Sequence, residues 1–279
     1  MARFYTSDFP LSTLDAAWAA FLSRASALPA APASLIASFS GAAAATRWEA
    51  FHLSHAAGFF KPRSFLGAAF PALSSASPVL EVGCGNGSNL PALLAGGAAA
   101  VHACEVSPAA LRAAGAPPHA AAAIASGRLR LHLWDAAAGG PPPCLMGGMG
   151  AVVLTFTASA VPPVMHNALW AHCAAALAPG GVLCFRDYGE RDCAQLRAAD
   201  GAMLSPWLHA RPDGTLAFFF TVEGVRALME GAGLAVEELA LHTVRNVNRK
   251  TGAQLLRVFV HAVGRKAAAA PPAATAGAE

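Results

Sequence analysis

Residues Leu80 to Leu90 read LEVGCGNGSNL, with three glycines behind an acid at the end of an apolar run. Glycine permits a tight turn and lets the backbone approach a bulky ligand, and a helix that follows offers its N-terminal amides. A dinucleotide site would space its glycines GxGxxG. Here Gly83, Gly85 and Gly87 alternate, and Ser88 stands where the third fingerprint glycine belongs. Glu81, ahead of the loop, would repel a pyrophosphate but suits a cationic sulfonium or its amino-acid ammonium group. Glu105 ends the next β-like run, where an acid accepts hydrogen bonds from ribose hydroxyls. Asp135 ends the third such run, within reach of an adenine amine. Three acids at three successive strand ends point to S-adenosylmethionine rather than NAD.

The elements that must position these residues alternate along the chain. PVLEVG (78–83) reads as a buried strand, NLPALLA as a helix, VHACEV (101–106) as a second strand, and SPAALRAAG as a helix capped by Ser107 with Pro108 in its first turn. LRLHLWD (129–135) alternates like a strand, PPP (141–143) is loop, and AVVLTFT (151–157) is a further strand. A long helical stretch, PPVMHNALWAHCAAALA, then ends at Pro179-Gly180-Gly181 and leads into VLCFRDYG (182–189). TLAFFF (215–220), a helix from about Thr221 to Glu230, and the β-like runs LAVEELALHTV and LLRVFVHAV follow, the last two suited to closing the sheet as a hairpin. This alternation predicts an α/β fold, a mostly parallel sheet with helices on both faces; with the glycine loop and strand-end acids, the expectation is a seven-stranded, Rossmann-like sheet of the class I S-adenosylmethionine-dependent methyltransferase type. Such sheets bind ligands at the carboxyl ends of their strands, near the topological switch point.

A chain of 279 residues holds one domain of catalytic size with a modest appendage. Residues 1–46, rich in Ala, Ser and Pro, are expected to be partly mobile, residues 47–266 to form the catalytic domain, and residues 267–279 to be a disordered tail. The hydrophobic fraction of 55% is inflated by alanine, and no long run escapes Gly, Pro, His or charge, which argues against a membrane span. Six scattered cysteines without a CxxC pair argue for reduced thiols in an intracellular protein, cytoplasmic for preference, with the nucleus and then an organelle as alternatives. The histidines show no HxxxH or HExxH grouping, so no metal is expected. Between Glu238 and Glu279 every charged residue is basic, a local excess that serves either an anionic partner or a solvated surface.

Further stretches carry more specific information. Arg47-Trp48-Glu49-Ala50-Phe51 with FFKPRSFL (59–66), VMHNAL (164–169), FRDYGERDCAQLR (185–197), RPDGTLAFFFT (211–221), VNRK (247–250) and RVFV (257–260) occur in this order. Together they resemble the methyltransferase-like family that forms N3-methylcytidine in tRNA anticodon loops, over about Arg47 to Arg265, and most closely its short cytosolic member acting on serine tRNAs. The resemblance implies Trp48 and His52 over the cofactor, Gly83 with Gly85 in its loop, Glu105 on the ribose, Asp135 and Ala136 at the adenine, and Thr155 at the floor. It implies tRNA as partner, methylated at position 32, with seryl-tRNA synthetase as a further partner. The chain departs from the family at His52 (tyrosine), Glu105 (aspartate), Pro62 (an acid), Leu216 (arginine) and Phe218 (tyrosine).

For that chemistry, cytosine N3 carries an in-plane lone pair and needs no strong base. Asp187 is the candidate to orient the base and offset its developing charge, with Arg186 and Tyr188 shaping the pocket; an ion pair with a neighbour such as Arg191 is the competing role for Asp187. Arg211 and Asp213 are candidates for flanking nucleotides, although Pro-Asp-Gly is also a plain turn signal. Lys61, Arg63, Arg245, Arg249, Lys250 and Arg257 are candidates for RNA phosphates. Two other readings stay open: methyl transfer to a small molecule or protein on the same fold, and a non-catalytic RNA-binding module with a residual cofactor pocket.

Overall fold

The computed structural model describes residues 6–55, 62–247 and 252–269. From the N-terminus run α1 (Asp15–Ser26), α2 (Ala33–Ala37), α3 (Gly41–Ser54) and α4 (Leu66–Ala69). The Rossmann-like alternation follows as β1 (Val79–Val82), α5 (Leu90–Ala95), β2 (Val101–Glu105), α6 (Pro108–Gly115), α7 (Pro118–Ala125), β3 (Leu129–Leu133), β4 (Met149–Thr155), α8 (His166–Ala176) and β5 (Leu177–Tyr188). The last part holds α9 (Cys193–Leu196), β6 (Met203–Ser205), β7 (Leu208–Ala210), β8 (Leu216–Phe218), α10 (Val222–Gly231), β9 (Leu234–Val247) and β10 (Gln254–Lys266).

Seven strands form one sheet in the order β3-β2-β1-β4-β5-β10-β9. The first five are parallel, and β10 runs antiparallel to both β5 and β9, so the C-terminal hairpin closes the sheet as its sequence suggested. The chain winds outward from β1 to β3, then returns to start β4 on the other side of β1. That reversal opens a crevice at the ends of β1 and β4. Covered faces are visible in the alternation of β4 and β5. Val152, Leu154, Leu183 and Phe185 pack with Trp170 and Phe220 on one face, while Ala151, Val153, Val182 and Cys184 pack with Leu66 and Leu90 on the other. Local signals hold as well: Ser107 caps α6 by accepting from the Ala110 amide at 3.0 Å, and Thr221 caps α10 through Gly224 at 2.9 Å.

The N-terminal segment, expected to be partly mobile, is helical over most of its described length. Phe9 and Leu14 bury against Val258, Phe21 against Met203, and Ile36 and Phe39 pack onto Leu204, Leu208 and Leu216 of the small antiparallel sheet β6-β7-β8. Asp8 donates its amide to the Thr243 carbonyl (2.9 Å), covering the edge strand β9, and Asp15 pairs with Arg191 at 2.7 Å. A few large apolar residues separated by alanine anchor this segment. They bury against partners far along the chain, which is why local periodicity is weak.

Candidate active site

A cavity of about 340 Å³ opens at the ends of β1, β2, β4 and β5, where the strand order reverses. Its backbone floor is the glycine loop. Gly83 sits at φ +73°, and a Cβ there would lie 2.2 Å from Thr157 Cγ2, so neither the backbone angle nor the space accepts a side chain. Gly87 is equally constrained, at φ +82° with a Cβ position 2.9 Å from Leu90, and lets α5 pack close beneath the loop. Gly85 turns at φ +52° and donates its amide to Glu105 Oε2 at 2.9 Å.

Glu105 therefore braces the loop and forms part of the cavity wall. Its other oxygen accepts from the Val106 amide at 2.8 Å. A carboxylate has about four acceptor positions, so capacity remains for ribose hydroxyls. Burial raises its pKa, opposed by the amide hydrogen bonds from Gly85, Val106 and Ser107. Asp135 also lines the cavity; its Oδ1 accepts from Ala137 (3.0 Å) and Ala138 (3.2 Å), which orders the turn carrying Ala136 into the wall.

Glu81 does not join them. It is 2% exposed, absent from the cavity wall, and bonded through Oε1 to Asn89 Nδ2 at 2.8 Å, with Oε2 unpartnered. Its place in β1, at the centre of the sheet between β2 and β4, covers it before the chain reaches the crevice. Burial pushes its pKa up to about 7, against the opposing effects of Asn89 and the Arg63 guanidinium.

The roof comes from α3. Trp48 and His52, one helical turn apart, share a face and lie 5.9 Å apart between ring centroids. The helix is clasped by Glu49, which accepts from Ser107 Oγ at 2.6 Å and the Ala109 amide at 2.9 Å. Burial is the main cause lowering the His52 pKa, with His55 adding to it and Glu49 opposing. A neutral imidazole suits a wall beside a cationic ligand. Phe39, Ser40, Gly41 and Ala44 extend this roof, and no local sequence signal marks them. Pro162 and Met165 also line the cavity, Met165 from the VMHNAL stretch that carries part of the family resemblance.

The opposite end is basic and aromatic. Arg63, Arg211 and Arg257 line it with Tyr188, Phe156 and Phe259. The Arg63 guanidinium lies 4.6 Å from the Phe156 ring centroid and donates to Thr155 Oγ1 at 3.0 Å. Arg211 and Arg257 flank Tyr188, at 5.6 and 5.4 Å from its ring. Arg257 is fixed by Asp192, which is fully buried, through an Nε to Oδ2 contact of 2.8 Å.

The other expected contacts fall elsewhere. Asp187 has 0% exposure and is not in the wall: its Oδ2 accepts from the Ser159 amide at 2.9 Å and its Oδ1 from the Tyr188 amide at 2.8 Å. Burial raises its pKa to about 6, against those bonds and a distant Arg211 charge. Successive strand residues face opposite ways, so Tyr188 reaches the cavity while Asp187 holds the loop behind it. Arg191, its competing partner on sequence grounds, pairs with Asp15 instead. Arg186 is also buried outside the cavity, donating to His242 Nδ1 at 2.8 Å and lying 4.8 Å from the Phe259 ring; burial lowers its pKa to about 10. Asp213 completes its own turn, accepting from the Thr215 amide and hydroxyl at 3.0 and 2.7 Å. Arg245 is exposed on β9 and bonds Gln254 and Asp8. Lys61, Arg249 and Lys250 lie outside the described residues. The terminal basic run is partly structural: Arg265 pairs with Glu237, and Lys266 donates to the Ala174 and Leu177 carbonyls.

Among the described residues no group of three metal-ligating side chains comes together, and no helix is long and apolar enough to cross a membrane. The carboxylate end, the bare glycine backbone and the aromatic roof fit an adenosyl sulfonium cofactor.

Comparison with known proteins extends this picture. A family model described as a methyltransferase domain matches residues 53–239. The chain is 31% identical over 232 residues to the Drosophila melanogaster protein named tRNA N(3)-methylcytidine methyltransferase Mettl2, covering 78% of this chain and 70% of that relative. It is 32% identical over 230 residues to the Rattus norvegicus tRNA N(3)-cytidine methyltransferase METTL6, covering 78% of each. A match to the Danio rerio tRNA N(3)-cytidine methyltransferase METTL2, at 31% identity, covers 71% of this chain and 56% of that relative. Among solved structures, a SAM-dependent methyltransferase from Anabaena variabilis ATCC 29413 has the same fold, with a TM-score of 0.56 at 14% identity over 80% of this chain and 95% of its own.

Proposed function

This chain belongs to the tRNA N(3)-methylcytidine methyltransferases, enzymes that depend on S-adenosylmethionine, and from that premise we propose that it methylates N3 of cytidine 32 in the anticodon loop of a serine tRNA. The observation that carries the reading is the division of one cavity into two chemically opposite ends. Glu105 and Asp135 mark one end, and Arg63, Arg211 and Arg257 with Tyr188 mark the other. Carboxylates favour a cationic donor, whereas guanidiniums pair with nucleotide phosphates and aromatic faces stack on a base.

When bound, S-adenosylmethionine supplies a methyl group activated by a positively charged sulfur. The chain's own residues bind, orient and exclude water. Gly83 and Gly85 would give the backbone cradle, Glu105 would take the ribose hydroxyls, Asp135 and Ala136 would meet the adenine, and Trp48 and His52 would cover the site, with Thr155 at its floor. Cytosine N3 carries an in-plane lone pair, so no residue of the chain has to remove a proton from it. Holding it at near-attack distance accounts for roughly 7–11 kcal/mol of barrier lowering when alignment is good.

A single-stranded anticodon loop lets a cytosine leave its stack at low cost. Tyr188 offers a face for that base, and Arg211 and Arg257 offer charge to the flanking phosphates. Asp187 acts one step back, as a positioning residue that holds the Tyr188 backbone. The alternative of a residual cofactor pocket without catalysis finds no support in the intact cradle.

The test is direct. Purified protein with S-adenosylmethionine and serine tRNA, with and without seryl-tRNA synthetase, is expected to yield 3-methylcytidine at position 32 by nucleoside mass spectrometry. Absence of that nucleoside in both reactions overturns the proposal.

A further inference from the structure

Beneath the cavity floor, four side chains that the chemistry above leaves unused or half-used form one chain of contacts. Asn89 Nδ2 donates to Glu81 Oε1 at 2.8 Å and to Thr155 Oγ1 at 2.8 Å. Arg63 Nη1 donates to the same Thr155 oxygen at 3.0 Å. Above about pH 7, where Glu81 is ionised, the direction of these bonds is fixed. An ionised Glu81 can only accept, so the Asn89 amide nitrogen faces it and the amide oxygen is turned away, without a partner. Arg63 can only donate. The Thr155 oxygen therefore receives two hydrogen bonds, which use both acceptor positions of a hydroxyl.

What remains on Thr155 is its own O–H. Among the described residues no hydrogen bond is donated by this hydroxyl, although the residue is 3% exposed and forms part of the cavity wall. A buried hydrogen-bond donor without an acceptor is costly, by an amount comparable to a lost bond. It sits at the end of β4, between the glycine loop on β1 and Tyr188 on β5, and its oxygen is held by the arginine stacked on Phe156. That position is the boundary between the carboxylate end and the basic, aromatic end.

We infer that Thr155 is a specificity-determining donor that reads the O2 carbonyl of the target pyrimidine, next to the N3 atom that is methylated. The inference rests on the cytidine reading above and adds to it. Cytosine presents three groups in a row on this edge: the O2 acceptor, the N3 lone pair and the exocyclic amine. Adenine offers a comparable ring nitrogen and amine but only a C–H where O2 would be. A fixed donor at that place separates the two bases, because adenine would leave the donor unpaired. Asn89 and Glu81 are positioning residues in this scheme, acting through Thr155.

The experiment compares the full-length enzyme with Thr155→Ser and Thr155→Val on an anticodon stem-loop RNA carrying cytidine or 2-thiocytidine at the target position, at pH 8. Sulfur is a weak acceptor in place of O2. The ratio of kcat/KM for the two RNAs is taken within each variant, so general losses of stability or activity cancel. Wild type and Thr155→Ser are expected to favour cytidine about tenfold more strongly than Thr155→Val does, the size of one lost hydrogen bond. Thr155→Ala, which lacks the hydroxyl and relieves packing, is expected to match Thr155→Val and serves if that variant does not fold. Because Thr155 also floors the cofactor site, cofactor affinity is measured for each variant by calorimetry, and any loss common to both RNAs cancels in the ratio. Equal ratios in wild type and Thr155→Val overturn the inference while leaving the cytidine reading intact. A wild-type enzyme that methylates neither RNA overturns both.

Discussion

The Asp192–Arg257 pair offers a perturbation whose size can be worked out. Asp192 is fully buried; its Oδ2 accepts from Arg257 Nε at 2.8 Å and from the Val258 amide at 2.9 Å, and its Oδ1 accepts from Ala194 at 2.8 Å as the cap of α9. Arg257 has a side chain 19% exposed and reaches the basic end of the cavity. Asp192→Ala removes the counter-charge and leaves a mostly buried guanidinium uncompensated, which costs about 3–5 kcal/mol. At roughly 2–4 °C per kcal/mol for a large domain, the melting temperature falls by about 6–20 °C. Arg257 also loses the contact that aims it, so tRNA affinity drops while cofactor affinity holds. Replacing both partners with apolar residues, Asp192→Leu with Arg257→Met, removes the uncompensated charge and is expected to recover most of the stability. It does not recover tRNA binding. The assays are thermal unfolding by circular dichroism and filter binding of serine tRNA with S-adenosylmethionine present. An Asp192→Ala protein that melts within about 2 °C of wild type refutes the reasoning, since such a shift is less than 1 kcal/mol.

Other outcomes follow from the same geometry. Gly83→Ala forces a side chain into a left-handed backbone, costing about 1–2 kcal/mol, and onto Thr157 at 2.2 Å; cofactor binding by calorimetry is expected to weaken severely, and near wild-type affinity would count against the cradle. Glu81 has a folded-state pKa near 7, above its ordinary 4.5, so the folded protein holds this proton where the unfolded chain has lost it. Its stabilising contribution is therefore full below pH 4.5 and disappears as pH rises through about 7, on the order of 3 kcal/mol in all. Glu81→Gln is expected to flatten the fall of stability between pH 5 and 7 in denaturant titrations, and parallel curves for the two proteins would contradict this. Arg211→Ala is expected to weaken tRNA binding and reduce the slope of log Kd against log salt by about one, with cofactor affinity unchanged by calorimetry. Glu49→Ala releases α3 from the start of α6 and is expected to raise the KM for S-adenosylmethionine several-fold with kcat little changed, as steady-state kinetics would test.

Much of this protein is local in origin and so was legible in the sequence. The strand runs VLEV and VVLT are continuously apolar apart from Glu81 and Thr155, and the caps at Ser107 and Thr221 are contacts within three residues. The glycine loop with Glu105 and Asp135 could be read because a parallel sheet puts strand ends side by side, so the order of the elements already brings these residues together. Resemblance supplied Trp48 and His52, which no periodicity marks.

Tertiary structure decided the rest, because it depends on which way a side chain faces and what covers it. Glu81 and Asp187 look equivalent to the other acids as letters, yet strand position and alternation turn them away from the cavity, beneath Asn89 and behind Tyr188. The roof from Phe39 to His52 and the basic end built by Arg63, Arg211 and Arg257 join segments far apart along the chain. No spacing rule could give that convergence, since it comes from α3 folding over α6 and from a buried aspartate fixing one arginine beside a tyrosine. The sequence by itself therefore determined the sheet, its switch point and the acid-and-glycine end of the cavity, whereas only the packing of distant elements created an opposite end with the charge to meet a nucleic acid.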